Sequence, residues 1–211
     1  LQACWKLGRS YGIANVAVQR SAKHVGSVRG LLWAQIVGAL AVAALLPLDA
    51  RVAAPTPLDA LWVLIAGLAG LLAYLCLFYA FEHGRLTVAV PIMSSWALLS
   101  SALSLVIFHE PVRVMHLVGA AGVVAGAVIV ARFASATSAA STAQRGSPRW
   151  LLASFGAAIG FGVLIPVIGL LAPVTGRLGA IPVAYGADIA LGLPLVLRFR
   201  VSLAPPRGRA W

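Results

Sequence analysis

The stretch LWVLIAGLAGLLAYLCLFYAF, residues 61–81, contains no charged residue over 21 positions. The hydrocarbon core of a bilayer is crossed by a helix of about 20 consecutive apolar residues, so this stretch alone predicts a transmembrane span. The composition agrees, since 61% of the 211 residues are hydrophobic, 10% are charged and the mean hydropathy is +0.97. Soluble domains carry about 25% charged residues. The sequence therefore excludes a soluble enzyme and predicts an integral membrane protein.

Six further apolar runs flank this stretch, and together they predict an all-α, polytopic transmembrane helix bundle of about seven spans. Helices are expected because lipid offers the backbone no hydrogen-bond partner, and these runs are too long for barrel strands. Most connections are short, which makes successive helices antiparallel neighbours. The predicted spans are residues 3–18, 30–47, 58–81, 86–108, 114–131, 151–174 and 178–197.

The charged residues fit a membrane protein better than a nucleic-acid binder. The chain has 16 Lys and Arg against 5 Asp and Glu, a net charge of +11, and most of the bases lie between apolar runs. We therefore expect the lipid bilayer as a partner and no nucleic acid. Two bases, Lys6 and Arg9, lie inside the first run, where each would cost about 2.5 to 3.5 kcal/mol at the centre of a span. The first helix is thus expected to face a polar interior, or to have its boundary elsewhere.

A long polar stretch rich in Ser, Thr and Ala divides five spans from two, and it predicts a flexible linker. At an offset of 150 residues across it, Tyr11-Gly12 aligns with Phe161-Gly162 and Gly26 aligns with Gly176. A repeat displaced by five spans, an odd number, enters the membrane in the opposite orientation, as inverted repeats do. The expected organisation is a first five-helix repeat at 1–132, the linker at 133–149, an incomplete second copy of two helices at 150–197 and a basic tail at 198–211.

Several residues have an ordinary structural interpretation. Gly119, Gly122 and Gly126 are spaced so that they share one helical face, which favours close packing against another helix. Glu82 lies at a span end, where its carboxylate can stay hydrated or cap a helix N-terminus. Cys4 and Cys76 support neither a disulfide nor a metal site, and we expect no cofactor, no metal and no catalytic residue.

Asp188 is the most informative residue, because it lies in the middle of the last apolar run with Tyr185 three residues before it on the same face. An ionisable residue inside a span is a functional-site hypothesis by default. The alternative is a neutral Asp bonded to a neighbouring helix, and a third interpretation pairs Asp188 with Lys6 or Arg9. Other polar residues inside spans either line the same candidate substrate-binding cavity or join helices together: Asn15, Gln35, Tyr74, Ser94 and Ser95.

One set of motifs resembles the EamA domain of the drug/metabolite transporter superfamily. It comprises Phe78-Tyr79-Ala80-Phe81-Glu82-His83-Gly84, Val90-Pro91-Ile92-Met93-Ser94-Ser95, Phe108-His109-Glu110, Gly119-Ala120 and Gly126, with Glu110 nine residues before Gly119. The resemblance implies two five-helix halves in a complete member, of which this chain would be one half plus two helices. It implies a secondary transporter that moves small metabolites or organic compounds across the inner or plasma membrane. Proton coupling is one mechanism left open; the substrate and the oligomeric state are not specified.

Two other functions compete with transport. The incomplete second copy is compatible with a truncated, non-transporting remnant. Tyr185-Gly186-Ala187-Asp188 is similar to part of the signature of intramembrane aspartyl proteases, which need two carboxylates to activate water. The sequence offers no second carboxylate inside a span, so we expect that the protein is not an enzyme.

Overall fold

The computed structural model describes residues 2–44, 56–109, 111, 114–138, 149–176 and 179–198. These residues form helices and short connections without any strand, which confirms the predicted all-α bundle. The helices are α1 (Gln2–Val25), α2 (Ser27–Ala43), α3 (Pro57–His83), α4 (Leu86–Ser94), α5 (Trp96–Ile107), α6 (Val114–Ser138), α7 (Arg149–Thr175) and α8 (Ala180–Arg198).

Among the described residues, three helical segments are long and apolar enough to cross a membrane: Pro57–His83, Leu86–Ile107 and Arg149–Thr175. Shorter apolar helices lie at Ser27–Ala41, Val114–Gly126 and Ala180–Pro194. These six segments correspond to six of the seven predicted spans. The remaining one overlaps α1, which is helical from Gln2 to Val25.

The start and the end of α3 follow from local chemistry. The Thr56 hydroxyl accepts a hydrogen bond from the Asp59 backbone amide at 3.3 Å, and the Asp59 carboxylate accepts one from the Thr56 amide at 2.7 Å. Pro57 occupies the first turn, where a backbone amide is not needed. At the other end the Gly84 amide donates to the Ala80 carbonyl at 2.7 Å. A Cβ at Gly84 would meet that carbonyl, so the close approach requires glycine.

The fourth predicted span is interrupted between α4 and α5. Pro91 lies inside α4 and removes one backbone donor, and Ser95 separates the two helices. The Ser95 hydroxyl donates to the Ile92 carbonyl at 2.6 Å, which stabilises the local turn. The interruption brings Met93 and Trp96, from its two sides, to the cavity described below.

The helix ends at Gly26 and Gly176, the pair aligned by the 150-residue offset, have the same local structure. Both glycines have positive φ, 90° and 78°, and each directly follows the last residue of its helix, α1 or α7. The Gly26 carbonyl accepts from the Gly30 amide at 3.0 Å, and the Gly176 carbonyl accepts from the Ala180 amide at 3.2 Å. The segments around Gly26 and Gly176 therefore correspond in backbone geometry as well as in sequence.

Helix α3 lies at the centre of the bundle and uses small residues to contact two neighbours. On one side Gly160 of α7 lies so close that a Cβ there would be 2.7 Å from the Ala73 Cβ and 2.9 Å from the Ala69 carbonyl oxygen. On another side Gly67 and Gly70 face α8. Because glycine and alanine have little or no side chain, these helix backbones approach closely enough to pack without larger apolar groups.

The prediction that a row of small residues on α6 packs closely against another helix was wrong for the described residues. A Cβ added at Gly119, Gly122 or Gly126 would have no heavy atom within 4 Å, and all three are exposed. Seams of this kind are instead formed by α3 with α7 and α8.

Glu82 does cap a helix, but not the one that follows it in sequence. Its carboxylate accepts from the Ser27 amide at 2.9 Å, at the N-terminus of α2. Nearby, the Gln19 side-chain amide donates to the Gly84 carbonyl at 3.4 Å. Two polar contacts thus fix the corner between α1 and α2 to the end of α3.

Part of the predicted organisation lies outside the described residues. Helix α6 continues to Ser138, which lies inside the predicted linker, and α7 begins at Arg149, the last residue of that linker. Residues 139–148 between them, and residues 199–211 of the tail, are not among those described. The assignment of 1–132 and 150–197 as two repeats therefore stays a prediction.

Candidate functional site: a cavity between α1, α3, α4, α5, α7 and α8

A cavity of about 360 Å³ lies between the helices, which is within the usual size of small-molecule sites. Most of its wall is apolar or aromatic, and its few polar groups come from three helices, α1, α3 and α8. The lining residues are Asn15, Tyr74, Leu77, Met93, Trp96, Phe161, Leu164, Ile165, Ile168, Ile181, Ala184, Tyr185 and Asp188.

The carboxyl group of Asp188 is the most buried polar group of the wall. Asp188 is the ninth of the 19 residues of α8, so it lies at the middle of the helix, and it is only 3% exposed. Its Oδ2 accepts a hydrogen bond from the Gln35 side-chain amide at 2.9 Å, and Gln35 is also 3% exposed. Its Oδ1 has no hydrogen-bond partner among the described residues. Oδ2 is thus held by α2, while Oδ1 is buried against α3 at Gly70 without a hydrogen-bond partner.

Space for this carboxyl group is provided by a glycine of α3. A Cβ at Gly70 would overlap Asp188 Oδ1 and would lie 2.7 Å from Oδ2 and 2.9 Å from Cγ. Real nonbonded contacts of a Cβ are essentially never below 3.0 Å. Any residue larger than glycine at position 70 would therefore displace the carboxyl group or the whole of α8.

Aromatic side chains form a connected group beside Asp188. The hydroxyl oxygens of Tyr74 and Tyr185 are 3.3 Å apart, within hydrogen-bond distance, and their rings are stacked with centroids 6.3 Å apart. The Phe161 ring meets Tyr74 edge to face at 5.0 Å. On α2, Gly38 leaves room for the Tyr185 ring, which would be 3.6 Å from an added Cβ. These contacts fix the orientation of three rings that face the cavity.

Five of the seven residues predicted for the cavity come together at this place. Asn15, Tyr74, Tyr185 and Asp188 line it, and Gln35 lies behind Asp188 as its hydrogen-bond donor. The other two, Ser94 and Ser95, are not part of the lining, and the Ser95 hydroxyl donates to the Ile92 carbonyl in the last turn of α4.

The predicted pairing of Asp188 with Lys6 or Arg9 falls outside what the structure describes. Both residues belong to α1, but their side chains are not among the described ones. The partner that the structure gives Asp188 is the neutral amide of Gln35.

Asp188 is the one carboxylate among the described residues that line the cavity. A mechanism with two carboxylates sharing a proton requires a second one nearby. In the described ranges no three His, Cys, Asp or Glu side chains come together in a way that could hold a metal ion. The wall thus carries one acidic group, hydroxyls, an amide and aromatic rings, a set suited to binding an organic molecule.

Sequence reasoning missed the glycine beside the carboxyl group and most of the aromatic wall. Gly67, Gly70 and Ala73 follow one another at intervals of three on α3, a small-residue pattern that could have indicated a close contact. Phe161 was noticed only for its place in the repeat. Trp96 gave no signal, because an aromatic residue inside an apolar run is unremarkable in a membrane helix.

Comparison with known protein families identifies the class. Residues 7–132, more than half of the chain, match the model of the EamA-like transporter family. The chain therefore belongs to this family, which is part of the drug/metabolite transporter superfamily, and it is an integral membrane protein of a transporter family, not of an enzyme family. No curated protein and no solved structure matches the chain.

Proposed function

We propose that this protein moves small organic compounds across the inner or plasma membrane through the cavity beside Asp188. The observation that carries the proposal is the Asp188 carboxyl group, buried at mid-helix with one oxygen that has no partner among the described residues. A buried carboxyl group without a partner is unfavourable unless it is neutral or meets a ligand. Asp188 is thus suited to binding a substrate.

The Asp188 carboxyl group would also couple the transport of the substrate to the movement of protons. In this mechanism Asp188 holds a proton while the cavity is empty and releases it when a substrate binds beside the carboxyl group, so that substrate and proton exchange at one site. The other titratable groups on the described wall are the phenols of Tyr74 and Tyr185, which bond to each other. Substrate entry and proton release would therefore both depend on Asp188.

Vesicles reconstituted with the full chain test this proposal. A pH-sensitive dye is enclosed, a pH gradient is imposed, and a panel of small organic compounds is screened for proton movement that depends on the protein. We expect at least one compound to drive proton movement in the wild type and in Gly186→Ala, and none to do so in Asp188→Asn. Gly186 is a matched control, because it lies two residues away on the same helix and an added Cβ would have no heavy atom within 4 Å.

Two results would contradict the proposal. In the first, the protein takes up a compound without moving protons, and Asp188→Asn takes it up equally well. This result would show that Asp188 is not part of the mechanism. No protein-dependent uptake of any compound, by a chain shown to be inserted and folded, would favour the non-transporting remnant.

A further inference from the structure

The described wall of the cavity carries a single acidic group with no base to balance it. No described Lys, Arg or His is among the lining residues, and the Asp188 carboxyl group contacts the Gln35 amide and the α3 backbone at Gly70 and Leu71. An amide donates one hydrogen bond but brings no charge. A ligand that carries a positive charge would therefore supply the charge that the described wall does not provide for Asp188.

The rings around Asp188 favour the same kind of ligand. Tyr74, Phe161 and Tyr185 form the connected aromatic group, and Trp96 lies on the wall across from it. Aromatic faces attract cations, and the attraction grows when water is excluded. An anion would meet only neutral donors on the described wall, from Asn15, Trp96 and the two tyrosines, with a carboxylate beside them. The charge and the aromatic rings of the described wall thus favour a cationic ligand over an anionic one.

From this arrangement we infer that the substrate class is organic monocations: a positively charged nitrogen lies beside the Asp188 side chain, and an apolar or aromatic body lies against Tyr74 and Phe161. The inference rests on the proposed function and adds the chemical class to it. A volume of about 360 Å³ fits a compound with one or two rings.

Three water-soluble compounds of similar shape separate the possibilities: benzyltrimethylammonium, which is a permanent cation, phenylmethanesulfonate, which is an anion, and the neutral N,N-dimethylbenzamide. Equilibrium dialysis measures the affinity of each for the purified full chain. We expect the cation to bind most tightly, and to bind at least about tenfold more weakly to Asp188→Asn, a difference of about 1.4 kcal/mol. Gly186→Ala should retain the wild-type affinity, and Phe161→Leu should weaken the binding of the cation more than that of the amide.

The ranking of the three compounds on the wild type tests the inference even if Asp188→Asn fails to fold. Binding of the amide or the sulfonate as tightly as the cation would overturn the inference, as would unchanged cation binding to a folded Asp188→Asn. Failure of the transport proposal has a different signature: the cation would bind, but vesicles containing the protein would take it up no faster than empty ones. Uptake of the amide but not the cation would leave transport standing and refute the cation class.

Discussion

Replacing Gly70 by alanine adds a single methyl group at the contact between α3 and the Asp188 carboxyl group. The new Cβ would lie 2.7 Å from Oδ2, whereas ordinary contacts of this kind begin at 3.4 Å, so the carboxyl group must shift by roughly 0.7 Å. The hydrogen bond from Gln35 is now 2.9 Å long, and a shift of that size away from the amide stretches it to about 3.6 Å, beyond bonding distance. The substitution therefore breaks the one hydrogen bond that orients Asp188.

Two measurements test the effect of Gly70→Ala on stability and on ligand binding. Overpacking of this kind costs about 1 to 3 kcal/mol, so thermal unfolding of the detergent-solubilised protein should occur at a lower temperature. Affinity for the benzyltrimethylammonium probe should fall at least about tenfold, because its counter-charge has moved. The double variant Gly70→Ala/Asp188→Ala removes the carboxyl group that the methyl group strikes, so it should regain thermal stability without regaining affinity. If the two stability effects simply add, the methyl group does not act through Asp188 and the reasoning is refuted.

Three further predictions concern the contacts that hold the site and the bundle. Gln35→Leu removes the amide that bonds to Asp188 and should reduce stability by about 0.6 to 2 kcal/mol, measured by thermal unfolding, with weaker cation binding as well. Gly160→Ala should lower the stability of the protein by about 1 to 3 kcal/mol, because the new methyl group strikes α3 at the α3–α7 contact. Gly122→Ala, at an exposed position with no heavy atom nearby, should leave the stability unchanged or raise it by up to about 1 kcal/mol. Equal effects of the two substitutions on thermal unfolding would contradict the close packing of α3 against α7. Glu82→Ala should cost about 0.5 to 2 kcal/mol by uncapping α2 but leave cation affinity unchanged, and a loss of affinity would show that this corner reaches the cavity.

The helical spans were predictable because the membrane imposes a simple rule on the sequence. An apolar run of sufficient length must be a helix, and polar breaks mark where runs end. The boundaries were less predictable, since helices continue past the apolar run when caps allow it. Helix α1 reaches Val25 although the apolar run ended at residue 18, and its end is set by the positive φ of Gly26. The interruption at Ser95 depends on local bonding that Pro91 alone does not determine.

Individual residues of the candidate site could be selected from the sequence, but their contacts could not. A polar residue in an apolar run is conspicuous, which is why Asp188, Gln35 and Tyr74 were on the predicted list. The bond between Gln35 and Asp188 joins residues 153 positions apart, and no local pattern specifies such a pair. The same holds for Gly70, whose role depends entirely on which residue of α8 lies opposite.

The contact between Gly70 and Asp188 combines two features that are each unfavourable for a purely structural helix pair. Glycine inside a helix costs about 0.5 to 1 kcal/mol relative to alanine, and an aspartate near the middle of a membrane span costs about 2.5 to 3.5 kcal/mol. An alanine opposite an apolar residue would join α3 and α8 at a lower cost. The single amide of Gln35 satisfies only one of the two carboxyl oxygens. The arrangement is therefore better explained by a role of the Asp188 carboxyl group in ligand binding than by packing between the helices alone.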